Sequence, residues 1–261
     1  MIRVGVGGWT FEPWRDNFYP AGLPQKRELE YASSKLTSIE INGTYYGSQK
    51  PESFRKWAEE TPDDFVFALK GPRFATNRRI LAEAGDSISR FFASGVTELG
   101  AKLGPINWQF MATKKFDADD FAGFLELLPR TVEGITIRHA VEVRHPSFQT
   151  PEFIALARKH GVAVVVAESD TFPQITDPAA DFVYARLQQT REDEPAGYSA
   201  QALAEWAGRA RTWAEGSVPA DLPLLAETPA KQPRDVFIYM IAGFKPKAPA
   251  AAMALLKELA G

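Results

Sequence analysis

The amino-acid sequence predicts an α/β chain folded as a single (β/α)8 TIM-type barrel over residues 1–261, with some helices short or irregular. Three observations carry this expectation. Short strand-like runs alternate with helix-like amphipathic stretches from one end to the other. The alternation yields eight pairs, the number that closes a barrel. No G-x-G-x-x-G opens a helix after any strand, which argues against a doubly wound open sheet.

Ile2–Gly7 is the first strand, and residues 25–36 read as its helix. Residues 37–42 form the second strand. Pro51 then opens SFRKWAEE, proline being favoured at a helix's first position. Residues 64–70 (DFVFALK) are the third strand, followed by a loop of proline and arginine and a helix over 86–99. Residues 106–110 and 117–128 make the fourth pair. Residues 140–144 are the fifth strand, and Pro151–His160 is its helix, capped by Gly161. The continuous apolar run 162–167 suits a buried parallel strand. Its return segment is short and poorly defined. Phe182–Leu187 and Ala200–Ala214 form the seventh pair. After a long loop over 218–234, Asp235–Met240 and residues 249–259 close the series.

Composition narrows the chemistry. With no cysteine, disulfides, thiolate catalysis and Cys-type zinc or iron–sulfur sites are excluded. The net charge of −3 gives no global positive field for non-specific nucleic-acid binding. Residues 1–8 read as a strand interrupted by Arg3 and not as a signal peptide, and no run of apolar residues is long enough to span a membrane. The cytoplasm is the expected location.

Strand parity places the candidate site, because alternate side chains point to opposite faces. Ile39 and Ile41 share the helix-facing side of the second strand, which sends Ser38, Glu40 and Asn42 inward. By the same parity Lys70, Glu142, Arg144, Tyr184 and Arg186 point into the barrel. Gln109 sits late in the fourth strand, and Glu168, Ser169 and Asp170 follow the sixth. The polar residues thus gather at the C-terminal strand ends, where barrel enzymes keep their sites. Buried charges lose hydration worth several kcal/mol unless paired, so this set is a binding site or a structural ion-pair network.

Glu40, Glu142 and His145 are the catalytic candidates: two carboxylates held at different pKa values, and a histidine able to move protons near neutral pH. The alternative is that the glutamates are scaffolding for Lys70 and Arg144, and that His145 orders its loop through Pro146 and Ser147. Lys70, Arg144 and Arg186 would clamp an anionic group. Asn42, Tyr46, Gln109, Glu168 and Trp9 complete the expected substrate-binding set. Trp9, Trp14, Tyr45 and Tyr46 would stack on a sugar ring or a base, or pack the rim. No cofactor is expected. Glu40, Glu142, Glu168 and His145 would suit a hard or borderline divalent ion, but no H-x-x-E spacing supports one and three cations compete.

GVGGWTFEPW followed by NFYP (residues 5–20) resembles the opening motif of the YecE-like proteins, domain of unknown function 72. SIEINGTYYGSQKPESFRKWAEETPDDFVFALKGPRFAT (38–76) is similar to their E-x-N-x-T-F/Y-Y segment and F-x-F-x-x-K strand, and AVEVRHPSF (140–148) to their E-x-R-H-x-S-W/F motif. The resemblance implies a TIM-type barrel distantly like sugar isomerase and endonuclease barrels, with no established activity. The chain departs from the family pattern in places. Met111 and Ala112 replace the prolines of F-Q-x-P-P, Gln188 and Gln189 stand in place of the histidine and glycine of R-L-H-G, and Tyr239-Met240-Ile241-Ala242 lacks F-N-N. Glu168 stands where an Asp is usual. These changes imply an altered substrate or a loss of activity.

Three functions remain open from sequence: an enzyme hydrolysing, isomerising or cleaving a small anionic or carbohydrate-like substrate; a nucleic-acid-binding or processing barrel using Arg73, Arg78 and Arg79; or a non-catalytic small-molecule binder.

Overall fold

The computed structural model describes residues 1–15 and 17–261. Its strands are β1 (Ile2–Gly7), β2 (Ser38–Ile41), β3 (Val66–Lys70), β4 (Leu103–Gln109), β5 (His139–Glu142), β6 in two pieces (Ala163–Val164 and Val166–Glu168), β7 (Phe182–Leu187) and β8 (Asp235–Met240). All pair in parallel with sequence neighbours, and β1 pairs with β8. The two pieces of β6 bring the ends of this sheet together. Ala163–Val164 pairs with β5 and Val166–Glu168 pairs with β7, while the Val165 N–H between them donates to Val141 O at 2.9 Å.

Among the described residues, seven helices of eight residues or more cover the outside: α1 (Glu28–Lys35), α2 (Pro51–Glu59), α3 (Gly85–Phe92), α4 (Ala118–Glu126), α5 (Pro151–His160), α6 (Ala200–Ala214) and α7 (Ala248–Ala260). Asp117 and Thr150 cap α4 and α5 by accepting from the Asp120 and Phe153 N–H groups. Gly161 ends α5 in the left-handed region at φ 64°. Two expected helices are shorter than their patterns. The stretch 86–99 is helical only to Phe92, because Gly95 turns left-handed at φ 94° and a 3-10 segment, Val96–Lys102, follows. The start of 25–36 is likewise a 3-10 turn, Gln25–Arg27. No helix forms between β6 and β7 among the described residues. The fourth strand starts at Leu103, earlier than its apolar run, because backbone pairing to β3 begins there regardless of side-chain character.

The expected parity holds in the second, third, fourth, fifth and seventh strands. Ile39, Phe67, Leu69, Ile106, Trp108, Val141 and Val183 belong to the layer between strands and helices. Ala68, Ala140, Ala163, Val165, Phe182, Tyr184, Phe237 and Tyr239 fill the barrel interior. Inside, Ser38 Oγ donates to Val66 O at 2.6 Å, so the Tyr239 hydroxyl 2.7 Å away must donate to Ser38.

Gly5 makes this crowding possible. A Cβ there would lie 1.8 Å from Ser38 O, a backbone atom that cannot step aside without parting β1 from β2. Gly5→Ala is expected to cost about 1–3 kcal/mol as overpacking, read as a lower denaturant midpoint; an unchanged midpoint would show that the barrel wall yields at this point.

Candidate functional site

Glu40, Glu142, Lys70, Gln109, Arg144 and Arg186 converge at the C-terminal end of the barrel, because each stands on inner parity at or just past the end of its strand. Arg186 is the hub. Its Nη2 lies 2.9 Å from Glu40 Oε1, and its Nη1 contacts Glu142 Oε2 and, at 3.2 Å, Gln109 Oε1. Arg144 grips the other oxygen of Glu142 through Nη2 at 2.6 Å and Nε at 2.9 Å. Tyr184 donates to Glu40 Oε2 at 2.6 Å, and Asn107 Nδ2 donates to Glu142 Oε2 at 3.1 Å. Lys70 Nζ donates to Gln109 Oε1 and sits 4.7 Å from the centre of the Tyr45 ring.

Burial divides the group. Glu40 and Glu142 are each 0% exposed and Arg186 4%, so neither carboxylate faces solvent. Lys70 is buried as well, while Gln109 and the Arg144 side chain are partly exposed. Burial alone would raise Glu142, but the charges of Arg186, Arg144 and Lys70 outweigh it and hold the carboxyl down to about 2. The Arg186 guanidinium is raised by Glu142 and Glu40 against its own desolvation. Lys70 is lowered to about 8, first by burial and then by the charge of Arg186.

The charge count is unequal. Lys70, Arg144 and Arg186 face only Glu40 and Glu142, and both arginines are paired. Among the described residues Lys70 makes no ion pair and is the surplus charge of this cluster. Two further buried atoms, Asn107 Oδ1 and Arg186 Nε, lack hydrogen-bond partners there. A network shaped for stability alone would satisfy both.

Beside this cluster lies a recess of about 340 Å³ in the loops after β1 and β2. Trp9, Phe11 and Trp57 give it aromatic walls, while Asn42, Gln49 and Lys245 bring polar groups. Gly7 forms part of its floor. A Cβ on Gly7 would lie 2.8 Å from Asn42 Nδ2 and 3.9 Å from Glu40 Oε1, so the missing side chain leaves the recess abutting the ion cluster. A larger recess, about 730 Å³, opens at the opposite end around Arg138, His139 and Asp235. There Arg138 is closed off by Asp235 at 2.7 Å and Asp181 at 3.5 Å. The N-terminal face of a barrel serves stability, so the smaller recess, which adjoins Glu40 across Gly7, is the better candidate.

Several expected residues lie elsewhere. Glu168 falls on helix-facing parity in the second piece of β6 and is bonded to the Tyr198 hydroxyl and, at 3.0 Å, to Trp206 Nε1 on α6. Its acid joins the helix layer to the barrel and does not reach the cluster. His145 Nδ1 accepts from Ser147 N–H at 3.1 Å and is 2.8 Å from Ser147 Oγ, which itself accepts from Phe116 N–H. The histidine therefore orders the loop after β5, its proton on Nε2. Tyr46 is 65% exposed on the rim, beneath Arg73. Trp14, expected among the stacking aromatics, is wholly buried, its Nε1 donating to Lys245 O at 3.0 Å. Trp9 is half-buried and packs edge-on against Trp57 at 5.3 Å. Glu168 and His145 do not join Glu40 and Glu142, and no three His, Asp or Glu side chains among the described residues gather to hold a metal.

Sequence reasoning passed over Phe172, which packs 4.4 Å from the Arg144 guanidinium, as well as Asn107, Gln49 and Lys245. Asn107 was readable from the inner parity of β4. Lys245 and Phe172 carry no local signal, since loops far along the chain deliver them.

A family model described as "Protein of unknown function DUF72" matches residues 3–261. The UPF0759 protein YecE of Escherichia coli K12 is 29% identical over 151 residues, which is 57% of this chain and 50% of that protein, so the match spans about half the length of the relative. The UPF0759 protein YunF of Bacillus subtilis is 31% identical over 70 residues, 27% of this chain and 24% of its own. Among solved structures, a DUF72 family protein from Thermotoga maritima superposes with a TM-score of 0.75 at 22% identity, covering 100% of both chains. Another from Enterococcus faecalis gives 0.73 at 16%, covering 100% of this chain and 96% of its own. At these identities the likeness speaks for the fold.

Proposed function

The chain belongs to the DUF72 family, and from that premise we propose that it is an enzyme acting on a small anionic, carbohydrate-like substrate by proton transfer at the C-terminal mouth of its barrel. The surplus positive charge of Lys70 carries this reading. A protonated lysine with no carboxylate of its own attracts an anionic group, and Arg144 stands beside it with its outer edge partly open. A group lowered to about 8 is poised to give or take a proton near neutral pH. The aromatic and polar walls around Trp9, Trp57 and Asn42 suit the faces and hydroxyls of a sugar ring.

Glu40 and Glu142 take a supporting part in this scheme. Both are sealed from solvent and engaged on both oxygens, and the Glu142 carboxyl, held down to about 2, is a poor proton donor at neutral pH. They anchor Arg186, which fixes Gln109, which in turn orients Lys70.

The test is an NMR titration of the protein labelled at lysine Cε, with a panel of sugar phosphates and sugar acids. Lys70 should titrate near pH 8, apart from surface lysines near about 10.4. A panel member should shift its signal upward in pH and be turned over. A Lys70 that titrates with the bulk lysines, or that no panel member perturbs, overturns the proposal. A shift without turnover would recast the protein as a binder.

A further inference from the structure

A second basic feature lies outside the mouth just described. Arg73, Phe74, Asn77, Arg78, Ser87 and Arg90 line a shallow recess of about 490 Å³ between the loop after β3 and α3. Its three guanidinium groups have no carboxylate within ion-pairing distance among the described residues. Arg78 is instead steered by neutral acceptors, its Nε donating to Phe74 O at 3.1 Å and its Nη2 to Ser87 Oγ at 3.2 Å. Arg90 Nε donates to Asp86 O at 3.3 Å. Each contact uses part of a guanidinium and leaves its other N–H groups free. Arg27, Arg191 and Arg209 are ion-paired on the surface, whereas these three arginines share one hollow on a chain of net charge −3.

The recess also connects to the mouth. The Arg73 guanidinium lies 5.9 Å from the Tyr46 ring and 5.4 Å from that of Phe74. Tyr46 meets Tyr45 edge-on at 5.1 Å, and Tyr45 carries Lys70 at 4.7 Å. A file of alternating cations and rings thus runs from the outer recess to the surplus lysine. Phe74 and Tyr46 are 60% and 65% exposed along it, an apolar track between two positive ends.

We propose that the recess of Arg73, Arg78 and Arg90 is a phosphate-ester subsite. Forked guanidinium donors match the planar spread of phosphate oxygens, and three of them neutralise the dianion that a lone lysine would not. The subsite extends the reading of the Lys70 mouth, and rests on that reading only in assigning both ends to one substrate. The phosphate belongs either to a small phosphorylated compound or to a nucleic-acid backbone lying along the aromatic track.

The test measures inorganic phosphate binding by calorimetry on the full chain carrying Lys70→Met, so that the central cation does not contribute. Binding should persist there and weaken at least about tenfold when Arg78→Gln and Arg90→Gln are added. Arg73→Gln serves as the independent variant should the combined one lose its far-UV spectrum. Phosphate binding absent from the Lys70→Met protein, or unchanged by the arginine variants, overturns the subsite while leaving the Lys70 reading standing. Binding that follows the arginines upholds it even if Lys70 titrates as an ordinary lysine. A short oligothymidylate separates the two sources. Tight binding with a steep fall of affinity in salt supports the subsite with a backbone phosphate, and binding no stronger than that of free phosphate supports it with a small ester.

Discussion

Replacing Arg186 with methionine is expected to cost about 3–5 kcal/mol of stability at neutral pH, the loss seen when one partner of a buried ion network is removed. Methionine fills a similar volume, so cavity formation contributes little. The loss is electrostatic. Glu142 keeps Arg144, but Glu40 keeps only the Tyr184 hydroxyl and becomes a buried carboxylate without a cation. The pH dependence identifies this cause. In the native chain Glu142 is held down to about 2, against about 4.3 for a free glutamate. Its stabilisation is therefore full above the unfolded value and is lost as pH falls from there through the folded one. In the variant Glu142 loses the largest of the charges that hold it down, so less of this stabilisation remains to be lost on acidification. The difference between the two proteins should shrink as pH falls from about 4.3 toward about 2, read by urea unfolding at several pH values. A second substitution, Glu40→Met, should restore part of the loss at pH 7. A loss below about 1 kcal/mol, or one independent of pH, would mean that the network contributes no more than a surface pair.

Lys70→Met should act in the opposite direction on stability and abolish function. Without Lys70 the cluster is balanced, two carboxylates against two guanidinium groups, so the ammonium is the one charge the fold does not need. The variant is expected to be more stable by about 1 kcal/mol at pH 7, since replacing buried charges by apolar groups is often neutral or stabilising. Burial lowers Lys70 to about 8 in the folded chain, against about 10.4 unfolded. The unfolded chain then binds more protons between these values, so native stability rises with pH across that window and the advantage of the variant fades above it. Any turnover of a panel substrate should fall by about a hundredfold or more, the usual contribution of a positioned acid or base. A variant that is less stable and still active would show Lys70 to be structural.

How much of this was legible beforehand follows from the physics of each feature. Period-2 alternation is a local property of the chain, so Ile39 and Ile41 against Glu40, or Val141 and Val143 against Glu142, reveal the inner face without any knowledge of neighbouring strands. The same rule failed at Glu168. A continuous apolar run carries no alternation, and β6 breaks at Val165 to serve two neighbours, so parity could not be read there. His145 follows the fifth strand, as its sequence position requires, but the loop-ordering contact to Ser147 that occupies its Nδ1 depends on how the turn closes.

The sequence by itself determined the eight strands, most of their faces and the end of the barrel at which charge collects, because these depend on spacing along one strand at a time. Only the tertiary structure decided which charges neutralise one another. Pairing depends on distances between strands far apart in the chain, and those distances seal Glu40 and Glu142 around Arg186 and leave Lys70 as the cation without a carboxylate.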